Sequence, residues 1–368
     1  MSPVQLDSLS LEAARARDGI KWALAAPDVI PAWVADMDFP VPDAVREAVA
    51  RRAATDLGYP EWLDQPAAGP LAEAFAERME ARYGWRADPG HVRSYTDLNQ
   101  ALQVLLHLMT EPGDAVALHV PAYDPFLVTI TGMGRRLVPM PLTAEGRFEV
   151  PGEPVRVLLL VNPQNPSGRS FTREELEAVA AYADRHGTLV IADEIHADLT
   201  YAPARHIPFA TILPERTVTL TSASKAFNMG GLHCSVAHLG ARDVRDAIGR
   251  QPAHIYGAPS VLGVEATVAA WRHGHAWLEE VLAILDRNRW LIAERLPSGV
   301  GYRMPEATYL AWLDFGIPDA ASFVEREARV KLNPGPNYGG GDTFARLNFA
   351  TSAPILEEIL ARIAAALK

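Results

Sequence analysis

One stretch of the chain, VRVLLLVNPQNPSGRSFTREELEAVAAYADRHGTLVIADE (Val155–Glu194), indicates the fold. The apolar run Val155–Val161 predicts a strand buried on both faces, and Thr188–Glu194 predicts a second one. Between them, TREE from Thr172 is a capping-box pattern that begins a helix, and Gly187 is suited to end it. The stretch is therefore a strand-helix-strand unit, which predicts a parallel sheet with a right-handed crossover.

The same alternation of short apolar runs and helical patterns continues on both sides of this unit. Ala115–Val120 and Thr217–Ser222 predict further strands, and a helix is expected to start near Asp97. We therefore expect an α/β fold with a mostly parallel sheet over about residues 45–255. Ligands of such sheets bind beyond the carboxyl ends of the strands. Four polar clusters follow predicted strand ends and are expected to meet there: Pro121–Pro125, Asn162–Gly168, Asp193–His196 and Ser222–Lys225.

Charge and cysteine content exclude some classes of partner. The 368 residues include 34 Lys+Arg and 45 Asp+Glu, a net charge of −11, whereas nucleic-acid binding needs a basic surface. Cys234 is the single cysteine, the start of the chain lacks a basic segment followed by an apolar one, and the apolar runs are shorter than the ~18–20 residues of a membrane helix. We expect a reduced, cytoplasmic protein without nucleic-acid or membrane partners.

Common metal and nucleotide motifs are missing from the sequence. There is no P-loop, no GxGxxG after a strand and no HExxH. His273 and His275 stand two positions apart without a nearby carboxylate or thiol, so a structural or exposed role is favoured over a metal site. We expect no bound metal, and we interpret Cys234 as a packing residue.

Lys225 in the sequence TSASKAFN differs from an ordinary lysine in its surroundings. It is flanked by small hydroxyl residues and follows a predicted strand; alone, it would be interpreted as a surface amine. Asp193 ends a neighbouring strand, Asn165 lies in a proline-constrained loop and Tyr123 follows a third strand. Pyridoxal phosphate (PLP) needs such a set: an amine, a carboxylate for the ring nitrogen, a donor for the ring oxygen and an aromatic face.

The chain resembles the fold-type-I PLP enzymes and, within them, the cystathionine beta-lyase group of the bacterial MalY and PatB proteins and the corynebacterial carbon-sulfur lyase. NPxNPxG and SxSK mark only the superfamily, whereas WVADMDF, DEIH and ATYLAWLDF are more specific to the lyase group. The motifs that carry the resemblance span nearly the whole length: Lys21–Trp22, Trp33–Pro40, Gly58–Pro60, Pro121–Phe126, Asn162–Arg169, Asp193–Leu199, Ser222–Leu232, Ala307–Phe315 and Phe344–Ser352.

The resemblance implies an aspartate-aminotransferase-like fold. A large PLP-binding domain (46–258) would contain a mostly parallel seven-stranded sheet between helices. A small α+β domain would be discontinuous, formed by residues 1–45 and 259–368. The small domain would include the long amphipathic helix HAWLEEVLAILDRNRWLIAERL.

The resemblance also implies roles for individual residues. Lys225 matches the catalytic lysine that forms an imine with PLP and, once free, removes the substrate α-proton. Asp193 matches the carboxylate that keeps the ring nitrogen protonated, Asn165 the donor to the ring oxygen, and Tyr123 the aromatic on the ring face. Further cofactor contacts are implied for Leu98, Asn99, His196, Ser222, Ser224 and, from the partner subunit, Tyr59.

Arg346 matches the arginine that binds the substrate α-carboxylate, an anion that a planar guanidinium contacts bidentately. Trp33, Ala35, Asn165 and Tyr309 are implied to contribute to the same substrate site. The match of Tyr59 implies a homodimer with shared active sites. One departure concerns the phosphate loop, because Thr96–Gln100 is more polar than the corresponding stretch of relatives.

The implied reaction is beta-elimination from L-cystathionine or a related cysteine S-conjugate, giving a thiol, pyruvate and ammonia. DEIH favours the lyase group, because many aminotransferases have tyrosine where this chain has His196. No single residue forces the choice of reaction. A class I/II aminotransferase and a regulatory protein that retains the PLP site are the alternatives, and the physiological S-conjugate stays open.

Overall fold

The structure is a computed structural model that describes residues 6–62, 69–143, 146–252 and 255–368. The first five residues, which the predicted small domain includes, lie outside the described residues. The strands are β1 (Ile30–Pro31), β2 (Val92–Tyr95), β3 (Ala115–Val120), β4 (Arg136–Pro141), β5 (Val157–Val161), β6 (Leu189–Asp193), β7 (Thr217–Thr221), β8 (Ser235–Leu239), β9 (Gly301–Tyr302), β10 (Leu310–Asp314), β11 (Val330–Lys331), β12 (Asn333–Pro334) and β13 (Phe344–Asn348).

Helices cover both faces of the largest sheet and surround the smaller ones. In the described residues they are α1 (Leu11–Arg15), α2 (Ile20–Ala23), α3 (Asp43–Thr55), α4 (Pro70–Tyr83), α5 (Leu98–Met109), α6 (Asp124–Gly132), α7 (Arg173–His186), α8 (Arg242–Gly249), α9 (Val261–His273), α10 (His275–Arg295), α11 (Ala320–Phe323) and α12 (Ala353–Ala366).

The largest sheet has seven strands in the order β2-β8-β7-β6-β5-β3-β4. Strands β7, β6, β5, β3 and β4 are parallel, and β8 is antiparallel to both of its neighbours. The predicted α/β fold with a mostly parallel seven-stranded sheet is thus confirmed. Because β3, β5, β6 and β7 run in one direction, the loops that follow them meet at one edge, as the polar clusters predicted.

Strand β5 shows why the sheet needs helices on both faces. All of its residues are buried, and they alternate between two cores because successive side chains of a strand point to opposite faces. Leu159 packs in the core that contains α5 and α8, whereas Leu158 and Leu160 pack against α7. The predicted capping box of α7 is present, and Gly187 ends this helix with φ +67°.

Two smaller sheets lie outside the large sheet, and one of them joins the two ends of the chain. β12, β13, β10 and β9 form a four-stranded antiparallel sheet, and β1 pairs in parallel with β11. The pairing of β1 places the segment that follows it, Trp33–Asp38, next to the strand Phe344–Asn348 and the polar edge of the large sheet. We call Trp33–Asp38 the strap.

The described ranges contain neither a candidate membrane-spanning helix nor a candidate metal cluster. None of the helices there combines the length and apolar character that a membrane crossing requires. No group of three or more His, Cys, Asp or Glu side chains in those ranges is arranged to hold a metal ion.

Candidate active site

A cavity of about 450 Å³ opens where the carboxyl ends of the parallel strands meet. It brings together polar side chains that are far apart in the sequence, as well as the strap. The sequence-predicted residues that line it are Trp33, Ala35, Leu98, Asn99, Tyr123, Asn165, Asp193, His196, Ser222, Ser224, Lys225 and Arg346.

Lys225 lies in the loop after β7, and its amine is directed at the strap. Its Nζ donates a hydrogen bond to the carbonyl oxygen of Ala35 at 3.0 Å. Burial lowers the pKa of Lys225, the charge of Asp36 opposes this, and the charge of Arg346 lowers the pKa further. A lysine with a lowered pKa supplies the neutral amine that nucleophilic and base chemistry require.

Asp193 is the last residue of β6 and is only 4% exposed. Its Oδ1 accepts a hydrogen bond from the amide of Ile195 at 3.1 Å. Burial, with a contribution from the charge of Glu194, raises the pKa of Asp193 to about 7. The amide of Ile195 and the charge of Lys225 favour the ionised carboxylate. No side chain of the described residues forms an ion pair with Asp193, so a cationic ligand in the cavity would favour the ionised form further.

Arg346 lies on β13 and is 2% exposed. Its Nη1 donates to Oδ1 of Asn165 at 3.0 Å, and its Nη2 donates to the carbonyl oxygen of Trp33 at 2.9 Å. The guanidinium lies 4.9 Å from the ring centre of Tyr338. In the described part of the chain its Nε has no hydrogen-bond partner and no carboxylate pairs with the guanidinium. A buried cation with only neutral partners favours an anionic ligand.

The start of α5 forms another part of the cavity wall. Asp97 caps this helix, because its side chain accepts from the amide of Gln100 at 2.9 Å. The amides of Leu98 and Asn99 come next and have no acceptor within the helix, so they are available to an anion. The predicted start of a helix near Asp97 is confirmed.

Two predicted phosphate ligands and the histidine have different environments. The hydroxyl of Ser222 donates to the carbonyl of Cys234 at 2.6 Å and accepts from the amide of Ser224 at 3.0 Å, so it orients the loop around Lys225. His196 is 3% exposed, and its Nδ1 has no partner among the described residues. Burial lowers the pKa of His196 to about 3, with help from the charges of Lys225 and Arg346, so the imidazole is neutral.

Two predicted residues do not line the cavity. Tyr309 was expected to be part of the wall, but it is 1% exposed and its hydroxyl donates to the carbonyl oxygen of Ala35 at 2.8 Å, behind the strap. Tyr59 is 91% exposed and lies outside the cavity of its own chain. Tyr59 is predicted to contact the site of the partner subunit, so its position outside the cavity of its own chain leaves that prediction open. For Tyr309, the sequence motif could not show on which side of the backbone the ring lies.

Sequence reasoning missed the amides that hold the strap. Asn348 Nδ2 donates to the carbonyl oxygens of Val34 and Asp36 at 2.6 and 2.7 Å. Asn228, three residues after Lys225, accepts from the amide of Met37 at 2.9 Å. The quoted motifs FARLNF and SASKAFN contain these asparagines, so their presence beside functional residues was the available signal.

The other end of the strap is held by a buried ion pair. Lys21 Nζ lies 2.9 Å from Oδ2 of Asp38, and the two side chains are 4% and 2% exposed. Trp22 Nε1 donates to Oδ1 of the same carboxylate at 2.7 Å. This gives a structural role to the Lys21–Trp22 motif, because removal of either partner leaves a buried charge uncompensated.

Residues 333–338 form a further part of the wall that the sequence analysis did not predict. Asn333 Nδ2 donates to the carbonyl of Trp33 at 2.9 Å and to the hydroxyl of Tyr338 at 3.0 Å. Asn333, Asn337 and Tyr338 all line the cavity. The turn-rich sequence NPGPNYGGG has no local signal for this placement, because its position over the cavity depends on the pairing of β12 with β13.

Comparison with known proteins agrees with this geometry. The chain matches the family described as aminotransferase class I and II over residues 29–363. The protein belongs to the aminotransferase class I and II family. The cystathionine beta-lyase of Corynebacterium glutamicum is 34% identical, across 97% of this chain and 99% of that family member. A Mycobacterium tuberculosis protein with a provisional assignment as cystathionine beta-lyase is 37% identical, across 100% of this chain and 99% of its own length.

Among solved structures of this fold, the PLP-bound C-S lyase of Staphylococcus hominis is similar to the whole chain. The TM-score is 0.89 at 27% sequence identity, and the match covers 98% of each chain. The aspartate-aminotransferase-like fold implied by the sequence motifs is confirmed.

Proposed function

We propose that this protein is a PLP-dependent carbon-sulfur beta-lyase that converts L-cystathionine or a related cysteine S-conjugate to a thiol, pyruvate and ammonia. One observation carries the proposal: a half-buried lysine, a buried carboxylate and a buried arginine without an anionic partner line one cavity, in the described residues of a chain whose relatives include cystathionine beta-lyases.

The polar groups that line the cavity match the polar groups of PLP. When bound, PLP supplies an aldehyde that takes up amino groups and a protonated ring that withdraws electrons from the substrate. Asp193 would pair with the ring nitrogen, and Nδ2 of Asn165 would donate to the ring oxygen, since its Oδ1 already accepts from Arg346. Tyr123 would cover the ring face. The phosphate would be held by the amides of Leu98 and Asn99 and the hydroxyl of Ser224.

Arg346 and Lys225 divide the work on the substrate. Arg346 would bind the α-carboxylate, which provides the anionic partner that the guanidinium lacks in the described residues. Lys225, as a neutral amine, would take the proton from the α-carbon. His196 stays neutral and adds no charge between these two groups, because burial lowers its pKa to about 3.

The elimination requires no reactant other than the substrate and water. The α-carbon loses its proton to Lys225, the bond between the β-carbon and sulfur breaks, and the electron pair leaves with the thiolate. The remaining aminoacrylate is hydrolysed to pyruvate and ammonia. A thiolate leaves readily, so holding this bond in line favours elimination over transamination.

We also propose a homodimer in which Tyr59 contacts the phosphate of the partner's site. The exposed fractions of Leu57 and Tyr59, 60% and 91%, support this, because a partner subunit would cover both side chains. An apolar groove of about 520 Å³ lies beside the loop after Lys225 and offers a further surface for a second copy. The groove is lined by Val41, Val45, Arg46, Val49, Ala50, Asn228, Met229, Gly231 and Leu232.

The proposal includes the predicted domain division and location. The pairing of β1 with β11 supports a small domain built from residues 1–45 and 259–368, with the large domain at 46–258. A cytoplasmic location is supported by the single free cysteine, Cys234, which is buried and whose pKa burial raises to about 11.

The test of the lyase activity needs no keto acid. Purified protein supplied with PLP is incubated with L-cystathionine, and pyruvate and free thiol are measured. Release of both products in equal amounts is expected, as is a visible absorption band that is lost in Lys225→Ala. Strict dependence of turnover on an added keto acid would show an aminotransferase instead. A cofactor-loaded protein that turns over neither way would support a regulatory role.

A further inference from the structure

We propose that Tyr309 is a positioning residue for Lys225 and that it acts through the carbonyl group of Ala35. The inference rests on the proposed function, because it assumes that Lys225 takes the substrate α-proton. It assigns to Tyr309 a role different from the substrate contact expected from the motif.

The carbonyl oxygen of Ala35 joins the two side chains. It accepts from Nζ of Lys225 at 3.0 Å and from the hydroxyl of Tyr309 at 2.8 Å. A carbonyl oxygen has two lone pairs, so these two donors satisfy it. The direction of this carbonyl therefore fixes where the amine of Lys225 lies, and Tyr309 fixes the direction of the carbonyl.

Within the strap, the Ala35 carbonyl is the one that accepts a hydrogen bond from Lys225 in the described residues. The carbonyl of Trp33 accepts from Arg346 and Asn333, and the carbonyls of Val34 and Asp36 accept from Asn348. These bonds fix the path of the backbone. The hydroxyl of Tyr309 is the one further side-chain donor, besides Lys225, that reaches the peptide group facing the amine.

The backbone before Tyr309 holds its ring in place. Thr308 has φ +71°, a left-handed conformation that is unfavourable for a β-branched residue. It is imposed by a hydrogen bond from its amide to the carbonyl of Leu199 at 3.0 Å and by the hydroxyl of Tyr201, which donates to its carbonyl. Strain of this kind persists only where the surroundings impose it and is frequent at functional sites.

The bond from Lys225 to Ala35 has a consequence for proton transfer. An amine that donates one hydrogen to a fixed acceptor has its lone pair held in a limited range of directions. After it takes the α-proton, the same bond becomes charge-assisted and stronger, which favours the ammonium. The charged groups that face Lys225 are Asp36, Asp193 and Arg346, and a Tyr309→Phe exchange leaves all of them in place.

The first experiment measures α-proton exchange by the cofactor-loaded dimer or monomer as purified. L-alanine has no leaving group, so the exchange of its α-hydrogen in D₂O, followed by proton NMR, reports proton removal independently of elimination. We expect Tyr309→Phe to exchange about tenfold more slowly, with KM within about twofold, because substrate still binds Arg346.

A matched control is Tyr302→Phe. The hydroxyl of Tyr302 also donates to a backbone carbonyl, that of Arg289 at 3.1 Å, but neither residue lines the cavity. This variant loses a comparable hydrogen bond, so we expect a similar loss of stability and a wild-type exchange rate.

The second experiment has a spectroscopic readout. 2-Methylalanine lacks an α-hydrogen, so it displaces Lys225 from the cofactor without further reaction, and the visible band reports its binding. We expect its apparent Kd to rise severalfold in Tyr309→Phe and to stay unchanged in Tyr302→Phe, because the displaced amine has lost its fixed acceptor.

The outcomes separate this proposal from the lyase activity. Exchange within about twofold of wild type in folded, cofactor-loaded Tyr309→Phe overturns the positioning role, as does an equal slowing in Tyr302→Phe. Pyruvate release from L-cystathionine is measured separately on the wild type. Its absence contradicts the lyase activity, whereas the exchange rates still decide the role of Tyr309.

Discussion

Arg346 has a partner set that is unusual for a buried guanidinium. Its described contacts are an amide oxygen, a backbone carbonyl and the face of Tyr338, all uncharged. By contrast, buried Arg78 has Asp198 at 2.8 Å. A buried charge without a counter-ion is costly unless a ligand supplies one. The difference between these two arginines supports the proposed role of Arg346 in binding the substrate carboxylate.

We predict that Arg346→Lys raises KM for L-cystathionine more than it lowers kcat. A lysine keeps the charge but cannot contact a carboxylate through two parallel hydrogen bonds, so kcat/KM should fall about 100-fold. Steady-state kinetics check this. Arg289→Lys is the control, since Arg289 is also buried but contacts Asp286 and the carbonyl of Pro305 outside the cavity. An unchanged KM in Arg346→Lys contradicts the assignment.

A second prediction concerns pH and the cofactor-free protein. Burial raises the pKa of Asp193 to about 7, against about 4 in an unfolded chain. Because the folded-state pKa is the higher one, the stability contribution of this carboxyl is present below pH ~4 and is lost as the pH rises to ~7. Cofactor-free Asp193→Asn should therefore become more stable than wild type over this range, by up to a few kcal/mol, and the difference should be constant above it.

The measurement is denaturant unfolding of both proteins at a series of pH values. Burial lowers the pKa values of His196, His119 and His238, so their contributions to the unfolding free energy change with pH in the opposite direction. Both proteins contain these histidines, so their contributions cancel in the comparison. With PLP bound, the wild type should be more stable than Asp193→Asn, because the Asp193 carboxylate offers a negative charge to the ring nitrogen and an asparagine does not. A pH-independent difference contradicts the prediction.

At the level of elements, the loop between β5 and α7 depends on a glycine. Gly168 has φ +70°, and a Cβ added there would lie 2.3 Å from Cβ of Pro305. Its amide and carbonyl also form backbone bonds with Gln164 and with residues 306–307. The loop that carries Asn165 is thereby fixed against the segment that leads to Tyr309.

We predict different costs for alanine at two glycines with similar φ. Gly187 ends α7 with φ +67°, and a Cβ added there would meet only the end of the Arg216 side chain at 3.8 Å, an ordinary contact. Gly187→Ala should therefore cost about 1 kcal/mol of unfolding free energy and leave activity unchanged. Gly168→Ala adds a steric clash and should cost more than about 2 kcal/mol and lower kcat/KM. Equal costs in denaturant unfolding contradict this explanation.

Local signals predicted the long elements well and the short ones not at all. The capping box and Gly187 predicted both ends of α7, and the apolar run from Val155 overestimated β5 by two residues, since β5 begins at Val157. By contrast, β1, β11 and β12 have two residues each and exist only through pairing with distant segments. Such pairing leaves no periodic pattern in the sequence.

The same distinction applies to the site. The side chains of Lys225, Asp193 and Asn165 follow strand ends, so a parallel sheet predicts that they meet. The contact of Tyr309 with Ala35 joins residues 274 positions apart and depends on which face of the backbone the ring occupies. No local pattern encodes that choice.

At the level of the whole molecule, the net charge of −11 contrasts with the site. Lys225 and Arg346 line the cavity, and helix α5 directs its amino end to it. Burial shields these groups from the acidic surface, so an anionic cofactor and an amino-acid carboxylate are attracted locally.

The proposed dimer predicts complementation between two inactive variants. If Tyr59 serves the partner's site, a mixed dimer of Lys225→Ala and Tyr59→Ala has one site with both defects and one with none. Random mixing after reversible dissociation should then restore about a quarter of wild-type activity.

The control mixes Lys225→Ala with Arg346→Ala. Both residues line the cavity of the same chain, so no site of a mixed dimer is intact and no recovery is expected. Recovery of activity in the control contradicts a shared site. If Tyr59→Ala is inactive, a lack of recovery in the first mixture contradicts it as well.

The strap contacts Lys225 and Arg346 through main-chain oxygens, and this has a consequence for its evolution. Since every residue type supplies a carbonyl, a substitution at Ala35 leaves the acceptor in place. A one-residue insertion or deletion between Trp33 and Asp36 would instead reverse which carbonyls face the side chains of Lys225 and Arg346. The length of this segment, more than its side chains, is therefore what selection is expected to preserve.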